Sequence, residues 1–80
     1  MIEINFEDLK ELPPLSLLSL AKKAQMLWLY EECDQVAMHH IINAVSYQKY
    51  GIEDVVRCRD TTFNNIKSIV FSNRKIILEE

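Results

Sequence analysis

The chain has 80 residues, with nine Lys and Arg against twelve Asp and Glu, a net charge of −3, 49% apolar and 26% charged residues. That balance excludes a disordered chain and a membrane-embedded one, and the length allows one domain, 1–80, with no deep cleft between layers. One Gly and two Pro are too few to turn many short strands, so the expected class is all-α: a compact small bundle of about four helices with a short N-terminal strand or arm.

Residues 1–13 read as that arm, because Ile2-Glu-Ile-Asn-Phe6 alternates apolar and polar residues. Pro13 and Pro14 end it and suit the start of a helix. From Leu15 to about Glu31 the apolar residues Leu17, Leu20, Ala21, Ala24, Leu27 and Trp28 recur at helical spacing. Leu18 and Leu29 widen that stripe, while Met26 and Tyr30 lie on the remaining side beside Lys22 and Lys23. A helix so apolar around its circumference is covered from two directions, and in so short a chain another molecule can supply the second cover. Glu31-Glu-Cys-Asp34 reads as a turn, with Asp34 capping a second helix that runs to about Tyr50.

The core stripe of that helix is Ala37, Met38, Ile41, Ala44 and Val45. Gly51, followed by Ile52, reads as its left-handed C-cap. Residues 15–50 are thus a helical hairpin. A short helix from Ile52 to about Cys58 leads to Asp60-Thr61-Thr62, any of which can cap a further helix whose buried side is Phe63, Ile66, Ile69, Val70 and Ile77. The terminal Lys75-Ile-Ile-Leu-Glu-Glu80 continues that helix in the favoured reading; the alternative is a strand paired with Ile2–Phe6.

Charge is unevenly spread, with a balance of −4 over residues 1–34 and +4 over 55–78. Two faces that attract each other account for this, and a basic contact surface on the last helices is the competing reading. Two cysteines, Cys33 and Cys58, are too few for a disulfide framework and lack metal-motif spacing. The N-terminal residues show no signal-peptide pattern, and the longest apolar run, Met26 to Tyr30, is far short of the ~20 residues of a membrane span. A reduced, cytoplasmic setting is expected, with both cysteines as small buried hydrophobes.

The outer side of the second helix carries the main functional signal. Val36, His40, Asn43, Tyr47 and Tyr50 step by four, three, four and three, so they share one face. A solvated face carries Lys, Glu and Gln, whereas this one has no formal charge and two Tyr, side chains with an apolar body and a polar tip. The structural reading is that the face packs on the arm or the last helix. The functional reading is a partner-binding face, with Met26, Trp28 and Tyr30 of the first helix as further apolar anchors.

Other chemistries find little support. His39 and His40 point about 100° apart on a helix, so with Cys33 and Cys58 they converge poorly on an ion, and no metal is expected. The pairs Glu7-Asp8, Glu31-Glu32 and Glu53-Asp54 are neighbours near helix ends, where carboxylates cap or hydrate. Cys58 lies between Arg57 and Arg59, which would lower the pKa of an exposed thiol, but a core role is the simpler reading. One Gly leaves no phosphate loop, and no cofactor is expected.

Residues 52–75 can be drawn as a helix-turn-helix-like pair. Ile52, Val56, Thr62, Phe63 and Ile66 resemble the DNA-binding unit of bacterial regulators. The resemblance implies a recognition helix with Asn64, Asn65, Lys67 and Ser68 toward the groove and Arg57, Arg59, Arg74 and Lys75 on phosphates. In residues 21–50, Trp28 with the small-large-small run Ala37, Ile41 and Ala44 resembles the helix pair of a tetratricopeptide repeat, without a second copy. Neither likeness assigns a family.

The expected function is therefore a small non-enzymatic protein-binding module, a regulator, inhibitor or adaptor, with another protein or a second copy of itself in a homodimer as partner. The alternative is a DNA-binding helix-turn-helix regulator acting on duplex DNA through residues 52–75.

Overall fold

A computed structural model describes all residues from Met1 to Glu80. In chain order it contains strand β1 (Ile2–Asn5), a 3-10 helix (Phe6–Glu11), helices α1 (Pro14–Leu29), α2 (Gln35–Tyr47) and α3 (Ile52–Arg57), and strands β2 (Ser68–Ser72) and β3 (Lys75–Glu79). The three strands form one antiparallel sheet in the order β1-β3-β2. The fold is α+β, which corrects the all-α bundle expected from composition. The paucity of Gly and Pro argued against many turns, but a three-stranded sheet whose first strand comes from the other end of the chain needs only one tight turn.

That turn is Asn73-Arg74, with both residues at positive φ (52° and 60°). This two-residue geometry matches the right-handed twist of flanking strands, and Asn tolerates it well. The fourth expected helix, from Thr62, is accordingly not formed. Asp60 accepts the Thr62 N–H at 2.8 Å and its hydroxyl, but the result is a local side-chain turn followed by turn residues 62–65 rather than a helix start. The run Ile69-Val-Phe71 and the run Ile76-Ile-Leu78 then follow their β-branched and aromatic preference into strands. The alternation decides the faces. Ile69, Phe71, Ile76 and Leu78 point toward the helices, while Val70 and Ile77, expected on a buried helix side, lie on the outer face.

The helical hairpin of α1 and α2 is formed. Both helices end in the same way, without glycine. At α1 the Glu32 N–H reaches back to the Leu27 carbonyl (2.9 Å) with Glu31 left-handed (φ 60°); at α2 the Tyr50 N–H reaches the Val45 carbonyl (3.1 Å) with Lys49 left-handed (φ 68°). Gly51 is not the left-handed cap expected of it. Its backbone is extended (φ −106°, ψ 176°), and it caps the start of α3, its N–H donating to Asp54 Oδ2 at 2.8 Å.

The core is one cluster of nineteen buried residues that joins Leu17, Leu20, Ala24 and Leu27 of α1 to Ala37, Ile41 and Val45 of α2, Val55 of α3 and the inward residues of the sheet. Full burial of a Leu or Ile stabilises by about 1.5–3 kcal/mol, so the seven fully buried Leu and Ile at 9, 17, 20, 41, 69, 76 and 78 supply much of the driving force. Leu29 and Trp28, by contrast, stay exposed. The outer side of β2 is closed by the α1–α2 connection: the Ile69 N–H donates to the Glu32 carbonyl (2.9 Å) and the Asp34 N–H to the Ile69 carbonyl (3.1 Å). Lys22 and Lys23 hold the segment after α3, donating to the Cys58 (2.7 Å) and Asn64 (2.8 Å) carbonyls.

Candidate functional site: a groove between the 3-10 helix and α2

The expected α2 face is divided by its surroundings. His40 lies between two phenyl rings, with Phe6 at 4.4 Å and Phe71 at 4.5 Å between centroids. It thereby closes the corner where the end of β1, β2 and α2 meet. Tyr50, bound to the end of α2 by its main chain, is half-buried against the core. Both residues thus serve the fold. Val36, Asn43 and Tyr47 remain exposed, Tyr47 at 68%.

His40, Asn43 and Tyr47, together with Ala44, form one wall of a groove of ≈ 300 Å3; Phe6, Glu7, Leu9 and Lys10 form the other. The second wall was missed in sequence. Its signal was the i, i+3 spacing of Phe6 and Leu9 between an alternating strand and two prolines, which makes two turns of 3-10 helix with one buried anchor, Leu9. Gln48 fastens that wall to α2, donating from Nε2 to the Lys10 (2.5 Å) and Leu12 (3.0 Å) carbonyls. Lys10 lays its ammonium 4.6 Å from the Tyr47 ring centre. At the other end Arg74 donates to Glu7 Oε1 from Nε (3.0 Å) and Nη2 (2.5 Å). The Arg74 hydrogen bond, with a smaller one from the Glu7 backbone, holds the Glu7 carboxyl below its usual pKa. The groove is a fixed apolar trough with a charged residue at each end.

The first-helix anchors do not join it. Met26 lies beside Lys22, Lys23 and Asp60, Trp28 lines a shallow depression with Leu29 and Cys33, and Tyr30 is 72% exposed at the helix end. Cys33 and Cys58 are both buried and unpaired. Burial, then the neighbouring Asp34 charge, pushes the Cys33 thiol up to about 11. Cys58 Sγ faces the Leu15 carbonyl at 3.8 Å while Arg57 and Arg59 point to solvent. No group of three or more His, Cys, Asp and Glu side chains comes together.

The residues assigned to DNA are also dispersed. Arg57, Arg59, Asn64, Asn65 and Lys67 are exposed on α3 and the loop after it, Ser68 begins β2, and Arg74 and Lys75 turn to the acidic N-terminal segment, Lys75 Nζ lying 4.0 Å from Glu3 Oε1. The recognition helix that the helix-turn-helix resemblance implied is absent, because its residues are turn and strand. The tetratricopeptide likeness reduces to the α1–α2 hairpin. No helix is long and apolar enough to cross a membrane. Comparison with protein-family profiles, curated proteins and solved structures returned no match for this chain.

Proposed function

We propose that this protein is a small protein-binding module, a regulator, inhibitor or adaptor, that takes an apolar segment of its partner into the groove between the 3-10 helix and α2. The observation that carries the reading is Tyr47, a large aromatic side chain left mostly exposed at the lip of a groove whose walls are already fixed. Such a wall orders little on binding, so contact made there loses little to entropy. Aromatic side chains beside desolvated pockets are the residues that dominate interface energetics. Lys10 and the Glu7–Arg74 pair at the two ends would set the direction of a bound segment rather than its affinity.

The test is capture from lysate of the native source after nuclease treatment, followed by hydrogen exchange on the purified complex. Protection over residues 6–11 and 40–47, with the partner lost on Tyr47→Ala, supports the groove. Protection centred on Met26–Tyr30 with the groove unchanged would transfer the function to the end of α1, and capture that vanishes with nuclease would refute the protein-binding reading.

A further inference from the structure

The two edges of the sheet are unlike. The outer side of β2 is closed by Glu32–Asp34, and the Asp34 carboxylate takes the next free donor, the Phe71 N–H, at 2.8 Å. Nothing covers β1. The bond from the Phe6 N–H to the Arg74 carbonyl (2.8 Å) sets the phase in which Ile4 faces Ile76 and Ile2 faces Leu78. Alternation then turns the N–H and C=O of Glu3 and the N–H of Asn5 outward. The same edge leaves core-side apolar surface open, with Ile4 half-buried and Ile2 37% exposed. The strand has no Lys, Pro or bulge, and its protections are its shortness and the Glu3 charge alone.

We infer that β1 is a pairing edge for a second copy of this chain, giving a two-fold dimer with one continuous six-stranded sheet. The argument for a second copy is that the strand is complementary to itself. With the two-fold axis at Ile4, Glu3 of each copy stands opposite Asn5 of the other, the outward Asn5 N–H meets the Glu3 carbonyl, and Ile4 meets Ile4 and Ile2 meets Phe6 on the core side. Sliding the copies by one bonded pair either way sets Glu3 against Glu3 or Glu3 against Glu7, and like charges directly opposite destabilise a ladder. The strand has only four residues, so the association is weak and reversible. It borders the groove at Phe6 but does not involve Tyr47, and it stands without the groove reading.

Sedimentation equilibrium from about 10 μM to about 1 mM tests it, with two variants at one position. Asn5 already has φ −61° and ψ 138°, which suits proline, and Ile4 before it is extended as proline requires. Asn5→Pro therefore removes the outward donor, together with the long, exposed side-chain contact from Asn5 Nδ2 to Asp8 Oδ2 (3.4 Å), and should weaken the dimer at least about ten-fold with the melting temperature nearly kept. Asn5→Glu keeps the donor, gains Lys75 as its cross-strand neighbour within the monomer, and faces Glu3 of the second copy. It should weaken the dimer about three- to ten-fold, less so in high salt. Tyr47→Ala should leave dimerisation unchanged. A wild-type chain that stays monomeric throughout overturns the proposal, as does a dimer that Asn5→Glu leaves intact, and the second readout holds even if the proline variant melts early.

Discussion

Asp34 does more than its sequence position announces. Its cap on α2 was legible, since Asp before an apolar-periodic run is a start signal, and Oδ1 does accept the Ala37 N–H at 2.6 Å. Its other oxygen satisfies Phe71 on β2, a partner 37 positions away that no local pattern reveals. Asp34→Ala removes the cap and leaves a part-buried N–H unpaired, which should cost about 2–3 kcal/mol and lower Tm by roughly 8 °C or more; a change below about 2 °C would deny the double role. Lys49 holds a left-handed conformation that glycine adopts freely, so Lys49→Gly should raise stability by about 0.5–1 kcal/mol in chemical denaturation. Cys33 has a thiol pKa raised from 9.0 to about 11. The raised value favours the neutral folded form below 9 and withdraws that stability as pH rises from 9 toward 11, because the unfolded thiol ionises first. Iodoacetamide at neutral pH should label Cys33 only after unfolding.

Helices α1, α2 and α3 are readable from apolar spacing; β1 is readable from its alternation, its pairing with β3 is the less favoured of two readings, and β2 is not legible. A sheet strand is fixed by its partners, and here the partners of β3 are a strand next to it and a strand from the other end of the chain. Ile69 and Val70 fit a helix side as well as a strand while burial is unknown, since a short apolar run has no decisive period. Asn73, which tolerates the left-handed turn it adopts, lies between the two runs and plays no part in the expected helix. Strand geometry separates these neighbours sharply. Ile69→Ala should cost about 2–4 kcal/mol, whereas Val70→Thr on the outer face should cost under about 1 kcal/mol. Equal losses would restore a buried helix. The end of α2 was misplaced by the same reliance on one residue type, because glycine was taken for the left-handed cap that Lys49 provides.

At the scale of the molecule, the acidic front and basic back of the sequence meet. Arg74 binds Glu7 and Lys75 approaches Glu3, which joins the 3-10 helix and β1 to the turn between β2 and β3 and gives each of the two cations a carboxylate neighbour. Glu7 has a lowered folded pKa, so its contribution is present above its ordinary value of 4.5 and is lost as pH falls through the lowered one. Asp60, lowered by the Thr62 hydroxyl and then by the Thr62 N–H, acts in the same direction from 3.8. Both are exposed, so the acid-side slope of stability is shallow, and Glu7→Gln should flatten it in urea titrations at stepped pH. The groove was half legible: His40, Asn43 and Tyr47 stood out as an uncharged helix face, whereas the opposite wall depends on how the 3-10 helix folds back. In the proposed mode of binding Tyr47 is dispensable to the fold and central to contact, and the most direct measurement is the affinity of the captured partner for Tyr47→Ala beside the melting curve of that variant. The expected result is a loss of about thirty-fold or more with Tm within about 2 °C of wild type. Unchanged affinity would contradict the account, and so would a collapsed melting temperature.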